Sequence, residues 1–167
     1  MIPLRRMLVL VLVAACLLAM VPSQARADGD HEKGEEKDCV QVVIKNAEYC
    51  DLDRDGSQDD IVTAFRIKVL SDEVVFKKTE ICCFLTLPSG RAFVVGIAFK
   101  GAYLQLALVI GWLNVVTESG WYTFSTFCFL IGDSAIYYAY SSVAFDPPTG
   151  GDPGPPLAEI LSIEVKY

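Results

Sequence analysis

"DIVTAFRIKVL", residues 60–70, alternates. Ile61, Thr63, Phe65, Ile67 and Val69 fall on one side of an extended chain, and Arg66 and Lys68 on the other. A period of two residues places one row of side chains against a core and the other in water, whereas a helix would need a period near 3.6. β-Branched and aromatic residues fill the run, as a pleated, half-buried surface favours. The stretch is a strand.

Working outward, the same reading repeats. "CVQVVIKNAEY" (39–49) precedes the stretch, and "TEICCFLTL" (79–87) follows it. The turn signal "PSGR" leads into "AFVVGIAF" (92–99), which reads as a hairpin. "YLQLALVIGWLNVV", "WYTFSTFCFL" and "AIYYAYSSVAF" come next, separated by "TESG" and "GDS". The breaker segment "DPPTGGDPGPP" (146–156) precedes a last alternating piece, "LAEILSIEVKY" (157–167), with Leu161, Ile163, Val165 and Tyr167 set against Ser162, Glu164 and Lys166. About eight strands and no convincing helix predict an all-β antiparallel sandwich. Ala92 to Val116 has Lys100 as its one charge in 25 residues, long enough to span a bilayer as a helix. Gly96, Gly101 and Gly111 interrupt it, so two buried strands joined at Lys100-Gly101 are expected instead.

The N-terminus has a different character. Arg5 and Arg6 precede an unbroken apolar run, Met7 to Met20, then Pro22 and the small-x-small pattern Ala25-Arg26-Ala27. Residues 1–27 therefore read as a secretory signal peptide. Two rivals are an uncleaved anchor and a lipobox at Val13 to Cys16, the latter opposed by the apolar sequence continuing past Cys16. Membrane attachment is expected only through one of these. Residues 28–38, "DGDHEKGEEKD", are nearly all charged or glycine and read as a disordered acidic arm that carries the single histidine, His31. Residues 39–146 then form the sandwich, 147–156 a Gly/Pro linker and 157–167 a C-terminal strand. Three of the 14 basic residues lie in the signal, so the remaining 140 residues carry 11 bases against 21 acids, a net charge of −10. So acidic a chain has no basic stripe to displace counterions from phosphate, which excludes nucleic acid and suits divalent cations.

The acids concentrate in "YCDLDRDGSQDDIVTAF", residues 49–65. Asp51, Asp53 and Asp55 take loop positions one, three and five, Gly56 position six, Ser57 seven and Asp59 nine. Calcium takes six to eight oxygens at roughly 2.3–2.6 Å, and carboxylates at alternate positions of a tight loop can all turn toward one ion. Glycine allows the sharp turn, and the carbonyl of residue 57 adds an oxygen. Asp60 is a substitute for Asp59 or a supporting group. "DLDRDGSQDD" resembles the D-x-D-x-D-G-x-x-D loops of integrin-type repeats, thrombospondin type 3 repeats and dockerins, which implies Ca2+. It departs from an EF-hand at position twelve, where Val62 stands for the glutamate, and its flanks read as strands.

A second likeness lies in "TESGWYTFSTF", residues 117–127. Glu118, Gly120, Tyr122 and Phe124 are similar to the D-x-G-x-Y-x-C frame of immunoglobulin-like strands, in which the tyrosine hydroxyl bonds back to the backbone at a corner. That resemblance implies an immunoglobulin-like or fibronectin-like sandwich lacking the usual inter-sheet disulfide. Past the signal the cysteines are Cys39, Cys50, Cys82, Cys83 and Cys128, an odd number. Cys82 and Cys83 should face opposite sides of one strand, with one of them near Cys128. Cys39 and Cys50 bracket a single strand and should not meet.

Catalysis is not expected. His31 lies in the arm, and neither a G-x-S-x-G elbow nor a P-loop occurs. The expectation is an exported, calcium-stabilised sandwich acting as a cell-surface structural or adhesion module. Two alternatives stand beside it. One is a calcium-dependent carbohydrate-binding module using Trp112, Trp121 and the Tyr137-Tyr138-Tyr140 cluster. The other is a fibre subunit that self-associates by inserting its C-terminal strand into a neighbour.

Overall fold

The alternation read over residues 60–70 is the alternation observed: Ile61, Thr63, Phe65 and Ile67 are buried, while Val62, Ala64, Arg66 and Lys68 face outward, half-buried. A computed structural model describes residues 39–146 and 155–167, so the signal peptide, the acidic arm and most of the Gly/Pro linker lie outside the described residues. Among the described residues the elements are all strands: β1 (Val40–Cys50), β2 (Asp60–Val69), β3 (Lys78–Thr86), β4 (Ala92–Lys100), β5 (Gln105–Leu113), β6 (Tyr122–Ile131), β7 (Ile136–Phe145) and β8 (Leu157–Lys166). Every pairing is antiparallel.

Two four-stranded sheets result, in the orders β1-β2-β5-β8 and β4-β3-β6-β7. Their inner rows meet in one core. Phe65 of β2 and Trp112 of β5 reach Phe124 of β6 across the sandwich, with ring centroids 6.0 and 6.3 Å apart. Trp112 is fully buried and donates its indole N–H to Thr63 Oγ1 at 2.9 Å. That bond explains a threonine on a core-facing position, because a buried indole N–H without an acceptor is costly.

The strand order places β1-β2-β5 and β3-β6-β7 where an immunoglobulin-type sandwich has A-B-E and C-F-G. β4 adds beside β3. The place next to β5, where strand D would stand, is taken by the last strand of the chain. Residues 92–116 thus form two strands in different sheets, and Gly101 turns between them at φ 114°, its N–H bonded to Lys77 O at 2.9 Å.

One detail departs from the sequence reading. The register of β8 shifts between Val109 and Ile110, so that Ser162 pairs with Val109 and Ile160 with Ile110. Leu161 is the extra residue of a bulge, which takes it out of the row of Ile163 and Val165. It lies on Gly111 instead, where an added Cβ would meet both Leu161 methyls at 3.3 Å.

Candidate metal centre

The ladder of β1 and β2 closes at Cys50 and Asp60, and the loop between them holds the acidic motif. Two of its residues have left-handed backbone, Arg54 at φ 65° and Gly56 at φ 94°. A Cβ at Gly56 would touch nothing within 4 Å, so the backbone angle, not crowding, calls for glycine there. The aspartates brace the turn themselves. Gly56 N–H donates to Asp51 Oδ2 at 3.2 Å, Asp55 N–H to Asp53 Oδ1 at 3.2 Å, and Ser57 N–H to Asp55 Oδ1 at 2.7 Å.

Asp60, at the start of β2, is fully buried and works as a clamp. Its Oδ2 accepts the N–H groups of Leu52 and Asp53 at 2.6 and 3.2 Å, and its Oδ1 accepts that of Asn114 at 2.8 Å. One carboxylate oxygen each from Asp51, Asp53 and Asp60 lies within 4.8 Å of the others, a spacing that could hold a metal ion.

Asp59 is the unusual residue. It is 0 % exposed, and its backbone oxygen accepts N–H bonds from Val115 and Val116 at 3.0 and 2.9 Å, yet neither carboxylate oxygen has a hydrogen-bond partner. A buried carboxylate without a partner carries a large desolvation cost. Burial, and then the charges of Asp55, Asp60 and Asp53, push its pKa up. Asp51 Oδ1 is likewise buried and unpartnered. Asp51 belongs to the cluster that could hold an ion, whereas the oxygens of Asp59 lie outside it.

The structure therefore brings Asp51 and Asp53 together with Asp60, while three anticipated ligands lie outside that tight cluster. They are Asp55, exposed on the loop, Ser57, half-buried there, and Asp59, buried and within the field of Asp55, Asp60 and Asp53. Sequence reading gave Asp60 only a secondary place, and missed Asn114 altogether. Asn114 follows β5 with φ 55°, a conformation asparagine tolerates, and that was the one local signal available.

Elsewhere, the Tyr122 hydroxyl accepts the N–H groups of Thr117 and Glu118 at 3.1 and 3.0 Å and donates to Glu118 O at 3.0 Å. This is the corner geometry anticipated from the G-x-Y frame. Cys83 and Cys128 both face the core on paired strands, and burial pushes each thiol up to about 12, which leaves them protonated and unreactive at neutral pH. Of the anticipated aromatic platforms, Trp112 is in the core and Tyr137 faces inward, whereas Trp121, Tyr138 and Tyr140 are exposed. No family model, curated protein or solved structure matches the chain.

Proposed function

We propose that this chain is an exported, calcium-stabilised sandwich that serves as a structural or adhesion module at the cell surface. The observation that carries the calcium part of the reading is the Asp51-Asp53-Asp60 cluster, whose carboxylate oxygens lie within 4.8 Å of one another, with Asp51 Oδ1 buried and unpartnered. Next in sequence to Asp60 is the fully buried and unpartnered carboxylate of Asp59. Ca2+ suits a donor set made only of oxygens, with Asp51, Asp53, Asp55, Asp59 and the Ser57 carbonyl at alternate loop positions and Asp60 behind them. A bound ion offsets the repulsion among the carboxylates, and so links closure of the loop to folding. Export rests on the signal-like residues 1–27, and the surface role on the acidic surface that follows them.

The test is calorimetric melting of residues 28–167 with and without calcium, beside an Asp53→Ala/Asp55→Ala variant. An upward shift with calcium that the variant lacks supports the reading. Equal melting in every sample rejects it.

A second reading, a carbohydrate-binding module, draws on β7. Tyr138 and Tyr140 point outward there, 72 % and 52 % exposed, and the Tyr140 ring lies 4.4 Å from that of half-buried Phe127. Exposed rings along one uncharged strand face are the surface on which sugar C–H groups stack. Retention on insoluble polysaccharide that Tyr138→Ala/Tyr140→Ala abolishes supports this reading, and no retention of the unaltered chain removes it.

A further inference from the structure

The eighth strand meets the core of the sandwich through Val165 alone. Nine of its ten residues are exposed, Val165 alone being half-buried, although Leu157, Ile160, Leu161 and Ile163 are apolar. Ile160 and Ile163 pair with the buried Ile110 and Leu108 and so face inward, yet they remain 45 % and 47 % exposed. Toward the other sheet, a gap of about 220 Å³ lined by Phe93, Val95, Trp112, Pro156, Leu157 and Ala158 separates the start of β8 from β4. What holds β8 is its ladder to β5, the packing of Val165, a bond from Leu104 N–H to Lys166 O at 2.8 Å at its far end, and two ties near Leu113.

Both ties lead to the acidic loop. Asn114 Nδ2 donates to Pro155 O at 3.4 Å, while the backbone N–H of the same residue donates to Asp60 Oδ1 at 2.8 Å. Gly111 is covered from two sides, since a Cβ there would lie 2.6 Å from Leu52 Cδ2 of the loop and 3.3 Å from Leu161 of β8. Loop and strand therefore share Asn114 and Gly111 as common supports. A loop whose carboxylates repel each other loosens both.

We propose that the β5 edge is an interaction surface for the C-terminal strand of a second copy of this chain, and that cation loading of the Asp51–Asp60 loop sets how fast a chain releases its own β8. The inference rests on the calcium reading above. A second copy is the fitting occupant because it carries the same ten-residue strand, already matched to β5 in sequence and register. The eleven residues between Phe145 and Leu157 reach at most about 40 Å when extended, enough to place β8 on an adjoining molecule. Exchange makes the same contacts as the closed chain, so the equilibrium is set by concentration and the rate by release of β8.

The test uses residues 28–167, which include the whole compact unit Asp38–Tyr167. The chain is held at about 1 mM, the effective concentration a short linker gives, in EDTA or in calcium. At intervals it is diluted into calcium and weighed by light scattering after size exclusion. Two-chain species should accumulate at least tenfold faster in EDTA, and an excess of peptide 155–167 should abolish them. Leu161→Ala, which alters no loop carboxylate, should speed exchange in calcium while calorimetric titration shows unchanged calcium affinity. Single chains throughout the EDTA sample, or dimers that ignore the peptide, overturn the proposal. Equal rates in a chain that titrates with calcium overturn the gate alone, whereas absence of calcium binding overturns the functional reading and the gate together.

Discussion

β5 carries a ladder on each edge, β2 on one side and β8 on the other, and the two are of nearly equal length. Beside β2 the inner row is Ile61, Thr63, Phe65 and Ile67, each buried under the facing sheet. Along β8 the corresponding row is Ala158, Ile160, Ile163 and Val165, and only the last is half-buried. Backbone hydrogen bonds put both strands in place, at a net gain of only about 0.5–1.5 kcal/mol each. Burial of side chains separates a strand that must stay from one that can leave. The acidic loop lies where the two meet, with Asp60 opening β2 and reaching Asn114, which in turn holds Pro155 ahead of β8.

Matched truncations on the two flanks should break this comparison most severely. Phe65→Ala removes a fully buried ring and should cost about 3–5 kcal/mol in urea unfolding. Ile163→Ala, on a half-exposed side chain, should cost less than about 1 kcal/mol. Similar costs for the two would mean that β8 is as much part of the core as β2.

Calcium comes next in size. At a hundredfold excess over its dissociation constant it should stabilise the chain by about 2.7 kcal/mol, a rise of roughly 5–15 °C in Tm. Hydrogen exchange in calcium should protect β8 amides more than in EDTA, while those of β2 near Phe65 change less.

Tyr122→Phe should cost about 1–3 kcal/mol, because it strands the Glu118 N–H and removes one of the two acceptors of the Thr117 N–H, leaving it Val115 O at 3.0 Å. Calcium should not repair that loss, since the hydroxyl bonds residues 117 and 118 and none of the loop. A calcium-dependent effect of this substitution would blur the distinction between the two regions.

The smallest effect is one of pH. The folded pKa of Asp59 is raised, so the folded chain holds its proton more tightly than the unfolded one. Its contribution to stability is complete below the ordinary aspartate value of about 3.9 and is lost as pH rises through the raised value. Without calcium, lowering the pH from 7 toward that window should therefore raise Tm slightly. With calcium the same change should lower Tm, because protons compete with the ion for the carboxylate.

Much of this architecture was legible in the sequence, for a local reason. Alternation over residues 60–70 and turn signals such as "PSGR" and "TESG" report on neighbours two to four positions away, and strands are built from such neighbours. Leu161 shows where that stops. Its alternation places it with Ile163, but a bulge set by pairing with β5 turns it onto Gly111. The acidic loop divides in the same way. Asp51, Asp53 and Gly56 are visible as a motif, whereas the role of Asp60 depends on an amide 54 residues distant. Nothing in the local pattern of Asp59 and Asp60 shows that one is fully hydrogen-bonded and the other orphaned.

Isothermal titration of calcium into residues 28–167, run beside an Asp59→Asn variant, tests the cation site most directly. The expected result is one calcium per chain, with affinity reduced at least about a hundredfold when the buried charge of Asp59 is removed. Heat-silent titrations of the unaltered chain, or equal affinity in the variant, would contradict it.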